Sequence, residues 1–176
     1  MKNKILISLL LITALLIGIG SQQLLISSAV PIKNSAVIGT QRPPFILNDI
    51  HDVARNVNEW DQQILIVNFW ATWCPPCRKE IPALMSIQKE YADQGLQVIG
   101  IAVDSTEAVR EYAQEMGIQY PLMAADLAAM EISRRYGNTS NTLPFTAFIN
   151  RSGKIVTLHN GELTRNAIKD ILQPLL

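Results

Sequence analysis

Cys74 and Cys77 stand in the run Trp70-Ala71-Thr72-Trp73-Cys74-Pro75-Pro76-Cys77 and are the only two cysteines of the chain. The apolar stretch Ile64-Leu65-Ile66-Val67-Asn68-Phe69 ahead of them reads as a buried strand, and the residues behind them have helical periodicity. A strand feeding a helix whose first turn carries Cys-x-x-Cys is an arrangement for reversible dithiol–disulfide chemistry. The first sulfur there faces unpaired backbone N–H groups and the positive end of the helix dipole, and both favour its reactive thiolate. A zinc half-site is the weaker alternative, because zinc takes about four ligands and the chain adds only the distant His51 and His159. A structural staple across one helical turn closes too short a loop to stabilise much.

The elements that must position this pair follow from the pattern on either side. Phe45-Ile46-Leu47 with Asn48-Asp49 predicts a short edge strand and turn, and Val57–Gln63 a helical turn. Strands are expected at Ile64–Trp70, Gln97–Val103, Phe145–Asn150 and Lys154–Leu158, with a short extended piece at Pro121–Ala124. Helices are expected at Pro76–Asp93, from Asp104 (as a capping box with Glu107) to Met116, at Leu127–Tyr136 and at Thr164–Leu172. Strands alternating with helices, then a hairpin and a closing helix, imply an α/β fold. Its central sheet is mixed, parallel and antiparallel, and is flanked by helices on both faces.

Residues 1–30 are of another kind. Lys2 and Lys4 precede Ile5–Ile19, almost wholly apolar, followed by Ser21-Gln22-Gln23 and a second apolar patch at Leu24-Leu25-Ile26. Positive charge ahead of an uninterrupted apolar stretch directs a chain into the export machinery. The segment is read as a signal-anchor through residues 5–26, holding the chain to the cytoplasmic membrane and facing the periplasm or exterior. The alternative is a signal peptide cleaved near Ser27-Ser28-Ala29, leaving a soluble secreted or periplasmic protein. Residues 31–44, polar and bearing proline, are expected as a linker, and 45–176 as the folded domain.

Two of the 15 basic residues lie in this leader, leaving 13 against 15 acidic ones, a balance of about −2 for the rest. No basic patch is present, so nucleic acid is excluded as a partner. An exported domain of this size without a structural disulfide, yet keeping one Cys-x-x-Cys, uses that pair as a working group.

Over roughly residues 40–174 the chain resembles the thioredoxin superfamily, and within it the membrane-anchored, extracytoplasmic TlpA/ResA-like thiol–disulfide oxidoreductases. The carriers are Asn68-Phe69-Trp70-Ala71-Thr72-Trp73-Cys74-Pro75-Pro76-Cys77, then Arg78-Lys79-Glu80-Ile81-Pro82, Thr142-Leu143-Pro144, Phe148-Ile149-Asn150 and Gly153-Lys154-Ile155. The resemblance implies a thioredoxin-like fold, an insertion after the second strand of the core, and a substrate-facing loop carrying a cis-proline.

On that basis Cys74, ahead of the helix and the more exposed sulfur, is expected to attack a partner's disulfide, with Cys77 resolving the mixed disulfide. Pro75 and Pro76 carry no N–H, so two donors for the Cys74 thiolate are missing, which argues for a reducing rather than an oxidising pair. Asn68 occupies the position where cytoplasmic thioredoxins place a buried acid, and it cannot move a proton. Glu80 matches the family pattern Cys-x-x-Cys-x-x-Glu-x-Pro. Partly buried, with a raised pKa, it would take the proton from Cys77. Pro144 matches the cis-proline, which would expose the backbone of Leu143 to an extended substrate segment. Phe145 departs from the Thr often found next in relatives. Trp73 is read as an apolar docking face, and Trp70 as a core residue. Arg78 and Lys79 are read as a solvated helix face, Pro82 as a kink, and His51 and His159 as packing residues.

The expected activity is reduction of disulfides in exported proteins, with electrons from a membrane thiol carrier because the compartment is oxidising. Relatives serve cytochrome c maturation, copper-site assembly or general disulfide reduction. No cofactor and no metal are expected. Two other readings stay open. A thiol peroxidase would commonly place Thr three residues before its cysteine, where this chain has Ala71. A copper-binding assembly chaperone would use Cys-x-x-x-Cys with a distant His.

Overall fold

The computed structural model describes residues 36–176, so the leader expected at residues 1–30 lies outside the described residues. A five-stranded sheet in the order β5-β4-β3-β6-β7 forms the centre. Its strands are β3 (Ile64–Trp70), β4 (Leu96–Ala102), β5 (Leu122–Ala124), β6 (Phe145–Ile149) and β7 (Ile155–Asn160). β3 runs parallel to β4, and β4 to β5, while β6 is antiparallel to both β3 and β7. The helices are α1 (Pro75–Tyr91), α2 (Thr106–Met116), α3 (Asp126–Arg135) and α4 (Arg165–Leu172). This is the mixed sheet with helices on both faces that the sequence predicts.

β3 is buried along its whole length, and the two-residue alternation of a strand sorts its side chains between two cores. Ile64, Ile66 and Trp70 join a cluster with Cys77, Ile81 and Leu84 of α1, Val109 of α2, and Ile168 and Leu172 of α4. Leu65, Val67 and Phe69 join the opposite cluster, with Ala129 and Ile132 of α3 and Tyr136 beyond it. Each fully buried side chain of this size contributes about 1.5–3 kcal/mol. Asn68 shares the parity of Ile66 and Trp70, so a polar residue is delivered to the α1 side of the sheet.

The active-site helix starts at Pro75 with Cys74 as its N-cap and runs on through Pro82 to Tyr91. A 3₁₀ turn, Ala92–Gln94, follows it, and Gly95 then closes the end in the left-handed conformation, φ 76°. Between β4 and β6 the chain supplies α2, β5 and α3.

Three local expectations are corrected. The N-cap of α2 is Ser105, whose hydroxyl accepts from Ala108 N, and not Asp104, because Asp104 turns its carboxylate elsewhere. β1 (Ile46–Asn48), expected as an edge strand, instead forms a separate two-stranded antiparallel sheet with β2 (Ala54–Asn56), which no apolar run announces. Residues 39–42, within the stretch read as linker, pair with the first residue of β7 and the turn before it. Gly39 N donates to Ile155 O, Ile155 N to Thr40 O, and Arg42 N to Gly153 O. They satisfy backbone groups that the last strand of the sheet would otherwise leave open. Among the described residues, no helix is long and apolar enough to cross a membrane.

Candidate active site

Cys74 and Cys77 are joined, with an S–S distance of 2.06 Å. Cys74 holds the N-cap, and its Sγ accepts from the backbone N–H of Cys77 at 3.4 Å. That is the first N–H the helix can offer, since residues 75 and 76 are prolines. Cys77 is fully buried, whereas Cys74 keeps 4 % exposure at the floor of an open cleft of about 490 Å³. Trp73, Pro76, Val103, Met130, Asn141 and Leu143 line that cleft. Trp73 is 65 % exposed, so its apolar face is presented to solvent beside the sulfur.

Two polar clamps hold the loops around the disulfide. Asp104, at the end of β4, accepts from Thr72 through one oxygen, from the backbone N–H at 3.0 Å and the hydroxyl at 2.5 Å. Its other oxygen accepts from Ser105 N. On the opposite side the Leu143–Pro144 bond is cis, as the resemblance implies. The approach to it is pinned by buried Asn138. Its carboxamide donates to Thr142 O at 2.8 Å and Ser133 Oγ at 2.9 Å, and accepts from Thr142 N at 3.1 Å. Neither clamp is visible as a motif. The hint in each case is an Asx residue in a loop, where its side chain can bond backbone.

Glu80 lies on the inner face of α1 at 1 % exposure. Its Oε1 accepts from Asn68 Nδ2 at 2.7 Å and its Oε2 from the backbone N–H of Leu163 at 2.8 Å. Asn68 Nδ2 also donates to Thr146 Oγ1 at 3.0 Å. Thr146 is the cross-strand neighbour of Asn68 on β6. Burial pushes the Glu80 carboxyl up from its ordinary 4.5 to about 7, against the downward pull of the Leu163 and Asn68 hydrogen bonds, with Glu162 adding a further upward push. A carboxyl that changes charge near neutrality, three residues beyond Cys77 on the same helix, has the chemistry of a proton acceptor for that thiol.

The sequence-derived set thus divides by place. Cys74, Trp73 and Leu143 meet at the cleft, Pro144 lies next to Leu143, and Cys77 and Glu80 lie beneath on α1. Trp70 is a buried core residue. Arg78, on the exposed side of α1, lies over the Tyr112 ring with its guanidinium carbon 6.0 Å from the centroid. His51 is exposed between β1 and β2. His159, on β7, has its Nε2 3.4 Å from the Glu162 carbonyl. Among the described residues, no three His, Cys, Asp or Glu side chains are grouped to hold a metal ion.

Comparison with known proteins agrees with this geometry. Residues 38–158 match the AhpC/TSA family. The thiol–disulfide oxidoreductase ResA of Halalkalibacterium halodurans is 28% identical over 142 residues, 80% of this chain and 78% of its own length. The ResA protein of Bacillus subtilis is 29% identical over 145 residues, 80% of this chain and 76% of its own length. Among solved structures, a thioredoxin-family thiol:disulfide interchange protein from Chlorobium tepidum superposes with a TM-score of 0.70 at 30% identity, over 77% of this chain and 95% of that one.

Proposed function

From the premise that the chain belongs to the AhpC/TSA family, with the thioredoxin-like fold and the cysteine pair of a thiol–disulfide oxidoreductase, we propose that it works outside the cytoplasm as a reductant of disulfides in exported proteins. The observation that carries the reducing direction is the start of α1. Cys74 Sγ has the N–H of Cys77 beside it, and Pro75 and Pro76 withhold the two donors that would otherwise stabilise its thiolate. A less stabilised thiolate makes the dithiol give up electrons more readily.

In the dithiol form, the Cys74 thiolate attacks one sulfur of a partner's disulfide, and the partner's other sulfur leaves as thiolate. Cys77 passes its proton to Glu80 and attacks Cys74 in the mixed disulfide. The internal disulfide forms and the partner's second sulfur is released, so two electrons have moved to the partner. Trp73 and Leu143 supply the apolar face and backbone edge against which an extended segment beside that disulfide docks, with Pro144 shaping the loop.

The leader, Lys2 and Lys4 ahead of Ile5–Ile19, supports export and membrane anchoring through residues 5–26. A membrane thiol carrier would restore the dithiol. Cytochrome c maturation, copper-site assembly and general disulfide reduction are the candidate roles.

Trapping tests the reading. Cys77→Ala in an exporting host should accumulate mixed disulfides between Cys74 and exported proteins, and Cys74→Ala should accumulate none. The reverse pattern would overturn the assignment of the nucleophile. Rapid peroxide consumption with a thiol donor, at unmeasurable insulin reduction, would move the activity to the peroxidase class.

A further inference from the structure

We infer that Asn68 is a positioning residue for Glu80 whose carboxamide turns over as Glu80 gains and loses its proton, presenting Nδ2 to the carboxylate and Oδ1 to the carboxylic acid. The inference deepens the reading of Glu80 as the proton acceptor for Cys77 and rests on it.

The argument begins with the two donors that converge on Glu80. The Leu163 N–H is backbone, 2.8 Å from Oε2, and can only donate. Asn68 Nδ2, 2.7 Å from Oε1, is the other. This arrangement suits an ionised carboxylate, which only accepts. A protonated Glu80 carries an O–H that needs an acceptor, and in the observed arrangement both neighbours present hydrogens to it.

Asn68 alone of the two partners can reverse its role. Its Oδ1 is fully buried with no hydrogen-bond partner among the described residues. A half-turn of the amide about its terminal torsion, which is broad and roughly two-fold, exchanges Oδ1 for Nδ2. The oxygen then lies between Glu80 and Thr146. Thr146 Oγ1, which now accepts from Nδ2 at 3.0 Å, has a hydroxyl proton it can donate instead. In the turned state both the Glu80 O–H and the Thr146 O–H donate to Oδ1. The amide therefore makes the same two bonds, to Glu80 and to Thr146, in each charge state, and its other end, Oδ1 before the turn and Nδ2 after it, has no partner among the described residues.

The other groups facing Glu80 do not supply that switch. Cys77 lies one turn back on α1 and is the proton's source. The Glu162 carboxylate, beside Leu163 ahead of α4, acts on Glu80 only through its charge. Tyr120, before β5, is a buried phenol that burial holds well above its ordinary range, and its hydroxyl makes no hydrogen bond to Glu80. When Cys77 attacks Cys74 in the mixed disulfide, its proton moves to Glu80, its electron pair forms the new S–S bond as the bond to the partner's sulfur breaks and that sulfur leaves as thiolate, and the Asn68 amide turns to accept from the new O–H. The amide carries no proton itself.

A pH titration of the full-length protein by NMR tests this in the disulfide form, where the cysteines do not titrate. The Glu80 carboxyl carbon reports the midpoint. Contacts between the Asn68 Nδ2 protons and the Thr146 methyl should be present above that midpoint and lost below it, and Glu80→Gln should remove the pH dependence. In Asn68→Leu, which removes a bond from both charge states, the Glu80 midpoint should rise by no more than about one pH unit, the excess of a hydrogen bond to a charged group over one to a neutral group. Nδ2–Thr146 contacts unchanged through the Glu80 titration would overturn the inference, as would an Asn68→Leu midpoint raised by more than about one pH unit, the sign of an amide that serves the carboxylate alone. The first measurement needs no variant to fold. Neither involves a partner disulfide, so their outcome is separate from that of the reductase proposal.

Discussion

Thr72 and Asp104 are joined twice through a single carboxylate oxygen, by the backbone N–H at 3.0 Å and by the hydroxyl at 2.5 Å. Thr72 precedes the cysteine loop after β3, and Asp104 follows the adjacent parallel strand β4. The bonds therefore tie the two strand ends that flank the reactive sulfur. Asp104→Ala should lower the unfolding free energy of the disulfide form by about 1–3 kcal/mol, the cost of leaving such donors without a charged acceptor. Urea unfolding measures it. A loss no larger than that of Asp93→Ala, on an exposed turn, would show the tie to be without energetic weight.

The proton affinity of Glu80 sets a pH dependence of stability. Its carboxyl titrates at about 7 in the folded chain and near its ordinary 4.5 in the unfolded one. Between these values the folded state holds more protons, so stability falls as pH rises through that window. The contribution is most favourable below pH 4.5 and is lost by about 3 kcal/mol once pH exceeds 7. The unfolding free energy of Glu80→Gln, relative to the unaltered protein, should therefore improve between pH 5 and pH 8 by about that amount, whatever its constant offset. A flat difference across this range would contradict the assignment.

Restoring donors at the start of α1 should make the pair more oxidising. Pro76→His returns a backbone N–H near Cys74 Sγ and adds a side chain that can carry positive charge. The reduction potential, measured against a glutathione buffer, should rise by about 30–60 mV, where 30 mV corresponds to roughly 1.4 kcal/mol. An unchanged or lower potential would remove the argument from missing donors.

Trp73 is largely exposed, so its role separates cleanly from stability. Trp73→Ala should change the unfolding free energy by no more than about 0.5 kcal/mol, as is usual for surface positions. It should still raise KM for a protein disulfide substrate several-fold, with little change for a small disulfide such as oxidised glutathione. Equal effects on both substrates would argue against a docking face.

Asn138 holds Thr142 from both sides of its backbone. Asn138→Ala should speed hydrogen exchange at the Thr142 amide at least about tenfold, the equivalent of 1.4 kcal/mol of local opening. Exchange at Phe148, in the paired strand β6, should stay unchanged and serves as the internal control.

The sequence alone determined the reactive pair, the strand and helix that carry it, and the mixed sheet. Each of these rests on short-range signals: two cysteines one helical turn apart, apolar runs at strand length, glycine at the ends of α1 and α2. Glu80 and Pro144 were marked by the resemblance to the TlpA/ResA-like oxidoreductases, through the motifs around them. Tertiary structure alone decided what holds Glu80. Asn68 reaches it from β3, Thr146 stands beside Asn68 only because β6 pairs there in that register, and the Leu163 N–H arrives from 83 residues along the chain. The same holds for β2, for the Asp104 tie, and for residues 39–42 at the start of β7, whose polar side chains look like turn and tether until a partner strand or loop is near. Hydrogen-bond partners distant in sequence leave no periodic trace, because a donor's need is met by whatever the folded chain brings within 3 Å, and only the packing of the sheet against its helices settles which residue that is.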